Sequence, residues 1–151
     1  MSTLISSNAA LLILAHGSPR PESNKGLYEI AQICRARNLY ASVTVGFLEC
    51  NEPSIPDAID SCCAGVGVSS LVVVPYFLHT GTHVADDLPT LVEEGRLRHP
   101  GIEFRMGEFL GRSSYVTDIL GDRIDAVFTT LDSNPSNPSN PSNLAGAEAA
   151  G

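Results

Sequence analysis

The chain has 151 residues, is 43% hydrophobic and carries a formal net charge of −8. That length suits one domain with a real core, and the acidic balance argues against a nucleic-acid partner, because phosphate neutralisation needs clustered Lys and Arg. No segment is long enough to span a bilayer, and the early apolar run at 9–15 has no basic region before it, so no membrane association is expected and the location is read as cytoplasmic.

Taken in chain order, the pattern alternates. Residues 9–15 are a short apolar run closed by Gly17 and Pro19, which predicts a buried strand. Residues 24–37 place Leu27, Ile30, Ala31 and Cys34 on one helical face. Residues 42–48 (SVTVGFL) read as a second strand. Ser54 is placed to cap a helix with Pro56 in its first turn and Ile55, Ile59, Cys62 and Cys63 inward. The run 71–78 (LVVVPYFL) is continuously apolar, as expected for a central strand covered on both faces. Asp87 and Pro89 are read as opening the next helix, with Leu88, Leu91 and Val92 inward. Residues 102–107 give a fourth strand. Residues 113–130 carry Val116, Ile119, Leu120, Ile124 and Val127 at helical spacing.

Such alternation predicts an α/β fold: one doubly wound, mainly parallel four-stranded sheet with helices on both faces, two on each side. The expected strand order is 2-1-3-4, with the switch between the first and third strands. The expected boundaries are an extension at 1–8, the domain at 9–131 and a tail at 132–151. Within the tail, 133–143 read SNPSNPSNPSN. Nothing there can be buried and each Pro disfavours helix before it, so disorder is expected. Cys34, Cys50, Cys62 and Cys63 form no CxxC pair, which argues against a zinc ribbon or iron–sulfur motif and predicts buried free thiols.

Ligands of open α/β sheets sit beyond the carboxyl ends of the strands. The polar residues there are His16, Gly17 and Ser18 after the first strand, Glu49 and Cys50 after the second, and HTGTH at 79–83 with Asp86 and Asp87 after the third. Glu108, Gly111 and Arg112 follow the fourth. Two imidazoles and a carboxylate on one sheet edge form a ligand set for a divalent transition metal, and three protein ligands leave positions open for chemistry. Gly81 lies between His79 and His83, so this segment is read as a loop, with His79 lining the site. His99, in RHPG, is read as a surface turn residue. Cys50 has no histidine partner assigned by the sequence.

HGS at 16–18, FLE at 47–49 with Pro53 beyond, and VVPYFLHTGTHVADDLP at 73–89 together resemble the class II tetrapyrrole chelatases, in particular the small sirohydrochlorin cobaltochelatase/ferrochelatase family. The likeness covers roughly residues 10–128, and the third motif is its most specific part. It implies insertion of Co²⁺ or Fe²⁺, with Ni²⁺ as a further candidate, into sirohydrochlorin, the metal being a substrate and no organic cofactor being needed. His16, Glu49 and His83, rather than His79, match the family's metal-site positions and would be both ligands and catalytic residues, one of them accepting a pyrrole proton. A single copy of the domain implies a homodimer around the tetrapyrrole. Arg20 and Arg112, with Lys25 as a further cation, are candidates for contacts to substrate carboxylates. Ser18 is expected to orient its loop or to bond the substrate. The Asn-Pro-Ser tail departs from the family pattern, and neither metal storage nor an iron–sulfur cluster is expected in it.

Three other readings compete. A histidine phosphatase would carry Arg before the histidine, where this chain has Ala15. A non-catalytic metal or tetrapyrrole carrier on the same fold would use the same ligands, and turnover separates it from an enzyme. An interaction domain with an incidental histidine pair is the third.

Overall fold

The computed structural model describes residues 8–132, apart from the side chains of His83 and Asp132. The expected N-terminal extension, up to residue 7, and the Asn-Pro-Ser tail lie outside the described residues. The chain divides into two compact units, Met1–Arg112 and Ser113–Gly151.

In the first unit, β1 (Ala9–Ala15), β2 (Ser42–Phe47), β3 (Ser70–Pro75) and β4 (Glu103–Met106) form one sheet in the order β2-β1-β3-β4. Every neighbouring pair is parallel. All seven residues of β1 are buried, which explains its unbroken apolar run: it is flanked by strands on both edges and helices on both faces. Two clusters form the core. On one face, Leu27 and Ala31 of α1 (Lys25–Ala36) pack on Leu11, Ile13, Val43, Val45 and Phe47. On the other, Ile55, Ala58, Ile59 and Cys62 of α2 (Ile55–Cys63) and Leu88 and Val92 of α3 (Thr82–Arg98) pack on Ala10, Leu12, Leu14, Leu71 and Val73. Each fully buried large aliphatic or aromatic side chain there contributes about 1.5–3 kcal/mol. The helices thus cover both faces, α1 on one and α2 with α3 on the other. In the second unit, α4 (Tyr115–Asp132) is a single long helix.

Ser54 caps α2, its hydroxyl accepting from Asp57 N at 3.3 Å, and Pro56 lies in the first turn, as the spacing predicts.

Several expectations are corrected. The third strand ends at Pro75, not at residue 78. Proline offers no N–H to the ladder, and Tyr76 N makes a last bond to Leu14 O at 2.7 Å. Leu71, Val73 and Pro75 are buried, whereas Val72 and Val74 are half-buried, so only one face of β3 is closed. Ile30 is exposed, because α1 turns it away from the sheet. α3 begins at Thr82, ahead of Asp87. Gly81 serves as its N-cap, and Ala85 N bonds Gly81 O at 2.9 Å. Pro89 is therefore inside the helix rather than at its start. Of the four thiols, only Cys62 is buried; Cys34 and Cys63 are half-buried and Cys50 is exposed.

Candidate functional site

The β1–β2 ladder does not stop where the strands do. Leu48 N bonds Ala15 O at 2.9 Å, and Glu49 N bonds His16 O at 3.0 Å. This extension carries the segments after β1 and β2 side by side past the sheet edge. His16 Nε2 then lies 2.6 Å from Glu49 Oε1, a hydrogen bond between residues 33 apart in sequence. The two side chains are 52% and 60% exposed. An exposed pair contributes little to stability, and its openness leaves both groups within reach of a ligand.

Gly17 makes this approach possible. Its φ is +94°, and a Cβ built on it would lie 1.9 Å from Glu49 O. No side chain fits there, so His-Gly is a requirement of the loop crossing and not only of its flexibility. Cys50 takes a φ of +66°, a left-handed turn that carries the chain back from Glu49. Asn51 N bonds Glu49 O at 2.8 Å and closes it.

A cavity of about 310 Å³ beside the pair is lined by Ala15, His16, Ser18, Asn24, Tyr76 and Phe77. It lies at the carboxyl ends of β1 and β3, the switch point of this sheet order. A second cavity, about 360 Å³, runs between the end of β3, the first half of α3 and the chain after β4. Pro75, Val84, Leu88, Met106, Phe109 and Arg112 line it.

The other anticipated site residues fall as follows. His83 is the second residue of α3, following β3, and its side chain lies outside the described residues. His79 is exposed in the segment between β3 and α3. Ser18 Oγ accepts from Arg20 N at 3.1 Å, so the hydroxyl shapes its own loop. Arg20 and Lys25 are exposed near the start of α1. Arg112 is exposed, with its Nε 4.0 Å from Glu108 Oε1. Among the described residues, no group of three or more His, Cys, Asp and Glu is close enough to hold a metal ion. The described part of the site is thus the His16–Glu49 pair.

Sequence reasoning missed two features. One is Asn51, whose Oδ1 accepts from Ser18 N at 2.7 Å and from Asn24 Nδ2 at 3.0 Å. Asn24 is the buried polar residue of the described chain, 7% exposed. The other is His99, which is no simple surface turn. It is the C-cap of α3, half-buried, with Nε2 2.7 Å from Asp60 Oδ1 on α2. Arg98 donates to the same oxygen through Nε at 3.1 Å and Nη2 at 3.0 Å. The hydrogen bond from His99, aided by Arg98, lowers the Asp60 carboxyl below its ordinary value. Burial raises the thiol of Cys62 and pushes that of Cys63 up to about 11.

The CbiX family model matches residues 10–127. The sirohydrochlorin ferrochelatase of Arabidopsis thaliana, a chloroplastic protein, is 35% identical over 114 residues, covering 76% of this chain and 50% of that protein. The sirohydrochlorin cobaltochelatase of Sulfurisphaera tokodaii is 30% identical over 117 residues, covering 78% of this chain and 92% of its relative. Among solved structures, the sirohydrochlorin chelatase SirB from Bacillus subtilis subspecies spizizenii, in complex with cobalt, is similar with a TM-score of 0.70 and 25% identity, covering 79% of this chain and 50% of that one. A CbiX protein from Marinobacter aquaeolei VT8 shares the fold, with a TM-score of 0.69 at 24% identity over 81% of this chain and 98% of that one. The chain spans about half the length of several relatives, 50% of the plant protein and 57% of the Methanococcus maripaludis cobaltochelatase. With a family match running from the second residue of β1 into α4, the chain belongs to the CbiX family.

Proposed function

We propose that this chain is a sirohydrochlorin chelatase that inserts Co²⁺ or Fe²⁺ into the macrocycle, with two pyrrole N–H protons leaving as the metal enters. The observation that carries the proposal is the 2.6 Å contact of His16 Nε2 with Glu49 Oε1. Two ligands each about 2.1 Å from a metal lie about 3.0 Å apart at a right angle and about 3.4 Å at the tetrahedral angle. Replacing the proton of this hydrogen bond by a metal therefore opens the pair by less than about 1 Å, within side-chain movement. The exchange also runs backwards. As the metal leaves for the macrocycle, the pair closes on a proton, and a pyrrole proton is the one at hand. One pair of side chains thus serves as a weak ligand set and as proton acceptor.

His83, at the start of α3 and so in the segment that follows β3, is the proposed third ligand. Both named metals accept imidazole and carboxylate, and so does Ni²⁺, leaving cellular supply to decide between them. Arg20 and Arg112 are the proposed contacts for substrate carboxylates, with Ser18 O–H as a further donor. The domain is proposed to span 9–131 and to act in the cytoplasm as a homodimer. Two copies would enclose the tetrapyrrole between them.

The test is metal insertion followed by the absorbance of sirohydrochlorin, with Co²⁺, Fe²⁺ and Ni²⁺ side by side. His16→Ala and Glu49→Gln should each slow insertion by about 10²-fold or more, the usual contribution of a positioned proton acceptor. Near-parental rates in folded variants would overturn the assignment. Binding without turnover under excess sirohydrochlorin would make the protein a carrier.

A further inference from the structure

We propose that Asn51 is a positioning residue for the metal pair, one side-chain carbonyl that sets the distance between His16 and Glu49. The inference rests on the reading of that pair as metal ligands.

Asn51 Oδ1 accepts two hydrogen bonds, from Ser18 N at 2.7 Å and from Asn24 Nδ2 at 3.0 Å. Ser18 lies two residues beyond His16, and Asn51 two beyond Glu49. Asn24 caps the start of α1 without a side-chain bond to its own helix; its amide turns to Asn51 instead. Three segments therefore meet at one oxygen: the loop after β1, the start of α1 and the loop after β2. The same oxygen lies 3.1 Å from the place a Gly17 Cβ would take, so the clamp lies beside the crossing itself.

The backbone bond from Glu49 N to His16 O fixes only one point of this crossing. A single point lets the two loops pivot, and a pivot changes how far His16 Nε2 sits from Glu49 Oε1. The Asn51 clamp supplies a second point on the far side of both residues. Its geometry also holds the left-handed turn at Cys50, which lies between Glu49 and Asn51. A carboxamide suits the task because its oxygen takes two donors and carries no charge. Groups that orient metal ligands from behind typically change metal affinity by 10–100-fold when removed.

The experiment compares the full chain with Asn51→Ala, Asn51→Asp, His16→Ala and Glu49→Gln. Co²⁺ affinity is measured by calorimetry, steady-state insertion is measured at varied Co²⁺, and circular dichroism checks folding. Asn51→Ala is expected to weaken Co²⁺ binding by roughly 10-fold or more and to raise KM for the metal more than it lowers kcat. Asn51→Asp keeps an oxygen acceptor for both donors and should return affinity to within about 3-fold of the parent. Should Asn51→Ala fail to fold, Asn24→Ala removes one of the two donors, and a loss of at least about 3-fold is expected from it. Parental affinity in Asn51→Ala, or in Asn24→Ala where that variant replaces it, overturns the proposal, provided His16→Ala and Glu49→Gln lose binding. An equal loss in Asn51→Ala and Asn51→Asp overturns it too, since the acceptor would not be what matters. If His16→Ala and Glu49→Gln bind Co²⁺ like the parent, the ligand reading itself has failed.

Discussion

Gly17→Ala puts the loop crossing under the most direct strain. A Cβ at this position starts 1.9 Å from Glu49 O, and real Cβ atoms do not approach other atoms closer than 3.0 Å. The two loops must therefore part by about 1.1 Å, on the scale at which a misplaced group costs about 10²-fold in rate. A φ of +94° adds roughly 1–2 kcal/mol for a residue with a side chain. Losing the Glu49 N to His16 O bond adds about 1 kcal/mol. A total near 2–3 kcal/mol should lower Tm by roughly 10 °C or more in a unit of this size. Thermal melts followed by circular dichroism measure the second effect, and sirohydrochlorin absorbance with Co²⁺ measures the first. Gly26→Ala in α1 is the contrast, because nothing lies within 4 Å of its added Cβ and a helical Gly→Ala change should raise stability by about 0.5–1 kcal/mol. A Gly17→Ala protein with parental Tm and a turnover within about two-fold of the parent would refute the reasoning about the crossing.

Two further predictions concern groups away from His16 and Glu49. Asp60→Asn should cost about 0.5–1 kcal/mol at neutral pH, a small figure because the Asp60 side chain is 48% exposed and screened by water. Its pH dependence has a definite sign. A carboxyl lowered in the folded state contributes stability that is complete above its unfolded value, near 3.8, and is lost as pH falls through the folded one. The Tm gap between parent and Asp60→Asn should therefore narrow from pH 6 to pH 2.5, and a constant gap would show that the charge is irrelevant. In alkylation at pH 8, Cys50 should react first, being exposed. Cys63, with its thiol pushed up to about 11, holds only about one thiolate in a thousand there, and Cys62 is both buried and raised. Peptide mapping by mass spectrometry checks the order, and early labelling of Cys62 or Cys63 would contradict the packing of α2.

Which parts of the molecule could be read beforehand follows from how each residue finds its partner. The strand at 9–15 and the cap at Ser54 are local signals, and both stand where the pattern puts them. His16 and Glu49 are 33 residues apart, yet legible, because parallel topology alone brings the carboxyl ends of β1 and β2 together. The start of α3 misleads for a local reason. Pro89 reads as a helix-opening residue and Gly81 as a loop, while glycine is also tolerated as an N-cap, and the segment after Pro75 turns early enough to use it. Asn24 with Asn51, and Asp60 with His99, are a different case. Their side chains meet because of loop conformation and helix register, which no periodicity encodes. Asparagine in a loop is expected for turn formation alone, so Asn51 offers nothing that distinguishes a clamp from a turn. The proposed metal pair is therefore visible in the sequence, while the groups proposed to set its spacing emerge only from the way the loops cross. Substitutions chosen from the motif alone would test the proposed ligands and leave untouched the clamp proposed to set the distance between them.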